Sequence, residues 1–217
     1  MAARPAKLDR LLSTGKVRWA RSVVRGAAEG RTPGEWGYRE IAGRVVELIG
    51  AGDSANLTIA AGLLRDAQVQ REPVAWIAPP GSTFHPPDLA DWGVDLAALA
   101  LVRAPDAARA LRAADELLRS AAFGLVVLDG IEPIDVPLAI QVRLANLAQQ
   151  HDAALLWLCS AASRAYAGSL ASLRATTFRR RSELPGRFEF GFEVTKDKRR
   201  GRGWSWSSVC DGPPGLR

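Results

Sequence analysis

Cysteine and histidine are nearly absent: only Cys159, Cys210, His85 and His151 occur in 217 residues. Two cysteines far apart in sequence make no disulfide framework and fit a reducing compartment. Neither stands in the Cys/His company of a zinc site. Long apolar runs are also missing. No stretch approaches the roughly 18 uninterrupted apolar residues of a membrane-spanning helix. The opening MAARPAKLDR has no apolar core of a secretory signal, so the expected location is a bacterial-type cytoplasm, away from the membrane. There is no internal repeat and no low-complexity segment.

What is present suits one folded α/β unit. Hydrophobic residues make up 47% of the chain and charged ones 24%, enough to bury a sizeable core. The net charge of +6 is unevenly spread. Residues 1–31 hold eight Lys/Arg against two acids, and residues 174–202 hold ten against four, so the middle of the chain is acidic. Basic clusters suit a nucleic-acid backbone, an acidic protein surface, or plain solvation.

The hydrophobic pattern then gives the order of elements. Amphipathic helical turns are expected over residues 5–28, carried by Leu8, Leu11, Leu12, Val17, Val23 and Val24. Short apolar strands are expected at Val45–Ile49, Val74–Ala78, Leu99–Val102, Leu125–Asp129 and Ala154–Leu158. Helices are expected at Leu57–Gln70, Asp88–Trp92, Asp106–Ser120 and Leu138–Gln149. Such alternation predicts a mostly parallel sheet covered on both faces. Near the C-terminus, Arg187–Val194 and Trp204–Val209 alternate at period two around a Lys/Arg/Gly turn, which predicts an antiparallel hairpin at the sheet edge. Trp204 and Trp206 share one face of that strand and are expected to pack. The expected division is a basic N-terminal arm, residues 1–39, and a core domain, residues 40–217.

The first strand runs directly into a small-residue loop and a helix, the layout of a phosphate-binding loop. A working loop needs glycines for backbone N–H donors, a Lys for phosphate charge and a Ser/Thr hydroxyl for Mg²⁺. Here Gly50 opens the loop, Asp53 adds a negative charge, and Ala55, Asn56 and Leu57 stand where Gly, Lys and the hydroxyl belong. Each change opposes triphosphate binding, and Thr58 is only a displaced hydroxyl. Asp129, after an apolar strand, stands where a Mg²⁺-holding acid would, and it equally suits a structural turn cap. No nucleotide, metal or other cofactor is expected.

The order of these segments resembles the core of the RecA recombinase family. The resemblance runs through Gly43–Gly50, Val74–Ile77 with Gly93-Val94-Asp95-Leu96, Phe123–Asp129, and Phe192–Lys198. It covers roughly residues 40–215 and lies in order and spacing more than in any one motif. RecA carries an acidic catalytic residue after its second strand, whereas Ala78-Pro79-Pro80-Gly81-Ser82-Thr83 offers no carboxylate. The two regions that follow Asp129 and Ser160, which hold DNA-binding loops in RecA, look shortened. The chain is therefore similar to the ImuA family of RecA-like accessory proteins. That likeness implies a non-catalytic role in DNA-damage tolerance, with RecA as partner and a translesion polymerase as a second one.

The resemblance also implies site residues. Leu8, Leu11, Leu12, Val17, Trp19 and Arg21 of the arm are the expected partner contacts. Lys196 and Lys198 match a Lys-x-Lys hairpin that in RecA reaches a neighbour's nucleotide. Arg179, Arg180 and Arg181 together with Arg199, Arg200 and Arg202 are the candidates for weak, non-specific DNA contact. Two other classes stay open: a weak ATP- and DNA-binding RecA paralogue, and a division inhibitor similar to SulA.

Overall fold

The computed structural model describes residues 36–50, 54–80, 82, 84–162, 170–183 and 186–211. In chain order the elements are α1 (Tyr38–Ile41), β1 (Val45–Gly50), α2 (Asn56–Val69), β2 (Val74–Ala78), α3 (Pro86–Asp91) and β3 (Leu99–Arg103). Then come α4 (Ala107–Arg119), β4 (Leu125–Asp129), α5 (Leu138–Gln150), β5 (Ala154–Cys159), β6 (Leu173–Arg181), β7 (Arg187–Asp197) and β8 (Ser205–Asp211). Each strand and helix expected within these residues is present, with ends shifted by up to three residues. The arm residues Leu8, Leu11, Leu12, Val17, Trp19 and Arg21 lie outside the described residues.

One eight-stranded sheet runs in the order β3-β2-β4-β5-β1-β6-β7-β8. From β3 to β6 every pairing is parallel, and β7 is antiparallel to both neighbours. The parallel strands are apolar runs because both of their faces are covered. On one face, Ile59, Ala60, Leu63 and Leu64 of α2 pack with Val46, Leu48, Trp76, Val127 and Leu156. On the other, Ala110, Leu111, Ala114 and Leu118 of α4 and Leu144 and Ala148 of α5 pack with Val45, Ile49, Ile77, Leu128 and Leu155. Asp106 starts α4 by accepting a hydrogen bond from the Arg109 N–H at 2.7 Å.

Two elements go beyond the pattern reading. β6 is a nine-residue strand, Leu173–Arg181, for which the sequence pattern gave no expected element. Its Arg179-Arg180-Arg181 end hides the apolar alternation of its first half. β6 pairs with β1 on one side and β7 on the other, so the expected hairpin is attached through it. The second element, α1, lies across the expected boundary at residue 39. Trp36 and Tyr38 are buried, and Trp36 packs edge-on against Phe192 at 4.6 Å and beside Trp206 at 5.7 Å. Trp204 and Trp206 join the same aromatic cluster through Phe192, as packing residues. Gly191 is where β7 meets β8 most closely: a Cβ there would sit 2.2 Å from the Trp206 carbonyl oxygen.

Charged groups lock the end of β7 to the start of β1. The Arg44 guanidinium donates to Asp197 Oδ1 at 2.5 Å, to the Ser172 carbonyl at 2.9 Å and to the Ser172 hydroxyl at 2.8 Å. Both side chains of the ion pair are almost wholly shielded from solvent. Asp197 also accepts from the Arg199 N–H at 2.8 Å and from the Trp204 indole at 3.3 Å. Burial works against the Asp197 charge, but the Arg199 N–H and Arg44 outweigh it and hold the carboxyl below its ordinary value. Its stabilisation is therefore present above the ordinary carboxylate range and is lost as pH falls through the depressed value. Asp197→Ala strands a buried guanidinium and should cost about 3–5 kcal/mol in urea unfolding at neutral pH. That difference should shrink in acid, where the wild type loses the same charge. A loss below about 1 kcal/mol would contradict the role assigned to this pair.

Candidate functional site

In an open α/β sheet the ligand-binding positions are the C-terminal ends of the parallel strands. Here that upper end carries the β1–α2 loop, Asp129 and the segment after β2. Gly50 closes β1 where the chain folds back tightly: a Cβ would lie 2.5 Å from Ser54 Oγ and 3.1 Å from Asn56 Nδ2. Asp53 lies outside the described residues. Ala55 is fully buried and its carbonyl accepts from the Ile59 N–H at 2.9 Å. Leu57, at the hydroxyl position, is exposed.

Asn56 is the centre of the arrangement. Its Nδ2 donates to the Leu48 carbonyl at 3.1 Å and to the Cys159 carbonyl at 3.0 Å. Its Oδ1 accepts from Thr177 Oγ1 at 2.7 Å. The Asn56 backbone N–H meets Ser54 Oγ at 3.1 Å, and Ser54 Oγ lies 3.3 Å from Thr177 Oγ1. Both amide donors and the amide oxygen are thus used on the ends of β1, β5 and β6. A lysine ammonium in a working loop faces outward to phosphate, whereas this amide is turned inward and fully engaged. Thr177 and Ser54 were not singled out in the sequence. Thr177 comes within reach only because β6 pairs with β1, which places it opposite Gly50.

Asp129 sits two strands from β1, with β5 between them. Its Oδ2 accepts from the Ser82 hydroxyl at 2.5 Å, and Ser82 Oγ also accepts from the Phe84 N–H at 3.0 Å. Asp129 is buried, and burial pushes its carboxyl above the ordinary value against the opposing effects of Ser82 and Trp76. Ala78, Pro79, Pro80 and Ser82 bring no carboxylate beside it. The described residues contain no group of three or more His, Cys, Asp or Glu arranged to hold a metal ion. As arranged, this end is a set of strand ends tied to one another.

The other predicted residues fall at two separate places. Asp197 pairs with Leu173 at the start of β6, while Phe188 pairs with Arg181 at its end. Lys196, Lys198, Arg199, Arg200 and Arg202 therefore lie at the lower end of the sheet, and Arg179, Arg180 and Arg181 at the upper end. The nine residues of β6 put the two arginine groups roughly 26 Å apart along the strand. The single basic cluster expected from sequence is two clusters, because β6 is an extended strand and not a loop. Lys196 is half-buried opposite Arg174, and burial, Lys198 and Arg174 all pull its ammonium below the ordinary value. No helix among the described residues is long and apolar enough to cross a membrane.

Two substitutions test this description. Asn56→Ala removes the amide donor from the Leu48 and Cys159 carbonyls and the shortest bond of Thr177, and should cost about 1–3 kcal/mol in chemical unfolding. Asp129→Asn keeps an acceptor for Ser82 and removes a disfavoured charge. With a raised carboxyl, the wild type loses stability as pH rises from the ordinary carboxylate value through the folded one. The variant should therefore match or exceed the wild-type melting temperature at neutral pH, and its advantage should vanish in acid; a large drop at neutral pH would speak for a required negative charge. In comparisons with known proteins, no protein-family profile and no characterised protein matches this chain.

Proposed function

We propose that this chain is a non-catalytic RecA-like accessory protein of DNA-damage tolerance, acting in the cytoplasm by docking on RecA and limiting its filament or its strand exchange. The observation that carries the reading is the inward amide of Asn56, whose bonds to Leu48, Cys159 and Thr177 occupy the position of a phosphate-binding lysine. Asp129, tied to Ser82 and destabilised as an anion, fits a site that has stopped holding Mg²⁺. The mixed eight-stranded sheet is compatible with a RecA-type core.

The separation of the two ends supports the same reading. RecA protomers stack head to tail through a heterologous contact made by an N-terminal arm and a core surface, and a Lys-x-Lys hairpin reaches the neighbour's nucleotide. Lys196 and Lys198 lie at the lower end, away from their own β1 loop, which is compatible with contact to a neighbour. A chain that docks there and offers an inert upper end would stop further addition. The translesion polymerase implied by the ImuA likeness is a second partner in this scheme.

The test is RecA-driven strand exchange with increasing amounts of the protein, at low and high salt, with ATP turnover of the protein alone followed in parallel. Inhibition at or below equimolar amounts, little altered by salt, with no intrinsic turnover is the expected result. Unaffected exchange would remove RecA as partner. Turnover abolished by Asp129→Ala would replace the regulator by a weak ATPase.

A further inference from the structure

The two basic groups differ in how their charge is compensated. At the upper end, Arg179, Arg180, Arg181 and Arg187 are accompanied by Glu183, Glu189, Glu193 and Asp211, which cancels locally. Arg180 meets Glu189 at 2.8 Å and Arg187 meets Asp211 at 3.1 Å. Arg179 lies over the Phe188 ring at 4.5 Å. This is a sheet surface laced by its own pairs, with little net field to attract a polyanion.

The lower end is different. Hydrogen bonds join three segments there into one ridge. Arg39 Nε donates to Gln70 Oε1 at 2.9 Å, linking α1 to the end of α2 beside Arg71. Arg200 Nη2 meets Glu40 Oε2 at 2.6 Å, and Arg199 donates to the Ala42 carbonyl at 3.2 Å, linking α1 to the β7–β8 turn. Along this ridge Arg39, Arg71, Lys198, Arg199, Arg200 and Arg202 are all exposed. The carboxylates near it are Glu40, already paired with Arg200, the half-exposed Asp66, which accepts from the Tyr38 N–H, Asp152 beside Gly43, and Glu72, which follows Arg71 and is buried near Tyr38. Asp197 is buried in its pair with Arg44. Positive charge is therefore in excess here and not at the upper end.

We propose that this lower ridge binds the phosphate backbone of duplex nucleic acid without regard to sequence. The cations are strung along three segments and do not converge on one point, which suits a repeating anion more than a single small one. Five of the six are arginines, whose planar forks match phosphate oxygens. No aromatic ring among the described residues of the ridge is offered as a stacking platform, because Trp204 is half-buried with Arg200 lying 5.4 Å over it. That favours paired strands over splayed bases. This assignment does not rest on RecA being a partner, and it removes Arg179, Arg180 and Arg181 from the DNA-contacting set.

The experiment measures binding of the full chain to a short fluorescein-labelled duplex of arbitrary sequence by anisotropy, across a salt series. Arg71→Asn, Lys198→Gln and Arg202→Gln are combined in one variant, since these side chains hold no described hydrogen bond or ion pair. Arg179→Gln with Arg181→Gln is the comparison variant, and circular dichroism melting checks that both fold. The ridge variant should bind at least tenfold more weakly near physiological salt, and its salt dependence should flatten by about 0.9 in log–log slope for each phosphate that is no longer neutralised. The upper variant should bind as the wild type does. Unchanged affinity and slope in the ridge variant overturn the proposal, as does an equal loss in the upper variant or no duplex binding by the wild type at low salt. A ridge variant that keeps its duplex affinity but no longer inhibits strand exchange would make the ridge a protein-docking surface, which also overturns it.

Discussion

The register between β1 and β6 is the constraint on which the rest of the architecture depends. Glu47 lies in the middle of an otherwise apolar β1 and is buried, and its Oε2 receives the Arg174 guanidinium at 2.7 Å. A carboxylate stranded there would cost several kcal/mol. The two residues sit directly opposite in the strand pairing. A slip of one residue would turn Arg174 to the opposite face and leave both charges alone in the interior. The pair therefore acts less as a source of stability than as a selector of one register. The Arg44–Asp197 pair repeats the device one strand further on, joining the parallel half of the sheet to its antiparallel extension.

That register also decides the fate of the upper end. With β6 in place, Thr177 stands beside Gly50 and within reach of Asn56, so the end of β1 is closed by hydrogen bonds between neighbouring strands. The same loop built around a lysine would leave these carbonyls to water or to other partners and would point a charge outward. Asn56 at this position ties the ends of β1, β5 and β6 together. Asp129 follows the same logic at lower cost: a buried carboxylate with one hydroxyl donor is tolerated, but its charge is not favoured.

The sheet separates two surfaces of different electrostatic character by the length of a strand. The upper surface is internally paired and close to neutral, while the lower ridge is left with uncompensated cations. On the proposed reading as an interaction protein, the placement of these two surfaces carries the functional argument. Docking on a partner through Lys196 and Lys198 and holding a polyanion along the ridge both draw on the lower end, so the two proposed uses would compete for one surface.

The pattern of apolar runs was enough to determine the order of elements from β1 to β5, because strands covered on both faces must be apolar throughout. The departure from a working phosphate loop was read from the residue types at Asp53, Ala55, Asn56 and Leu57, which are local. Local pattern left β6 hidden, as a strand ending in three arginines looks like a basic loop until its neighbours are known. The partners of Asn56 and the pairing of Glu47 with Arg174 join residues up to 127 positions apart, and the splitting of the arginines into two groups likewise follows from distant strand pairing. Sequence by itself determined the fold class, because the alternation of apolar strands and helices is a local property. Tertiary structure alone decided what Asn56 is bonded to and which cations remain uncompensated, because both depend on which strand ends the sheet brings side by side.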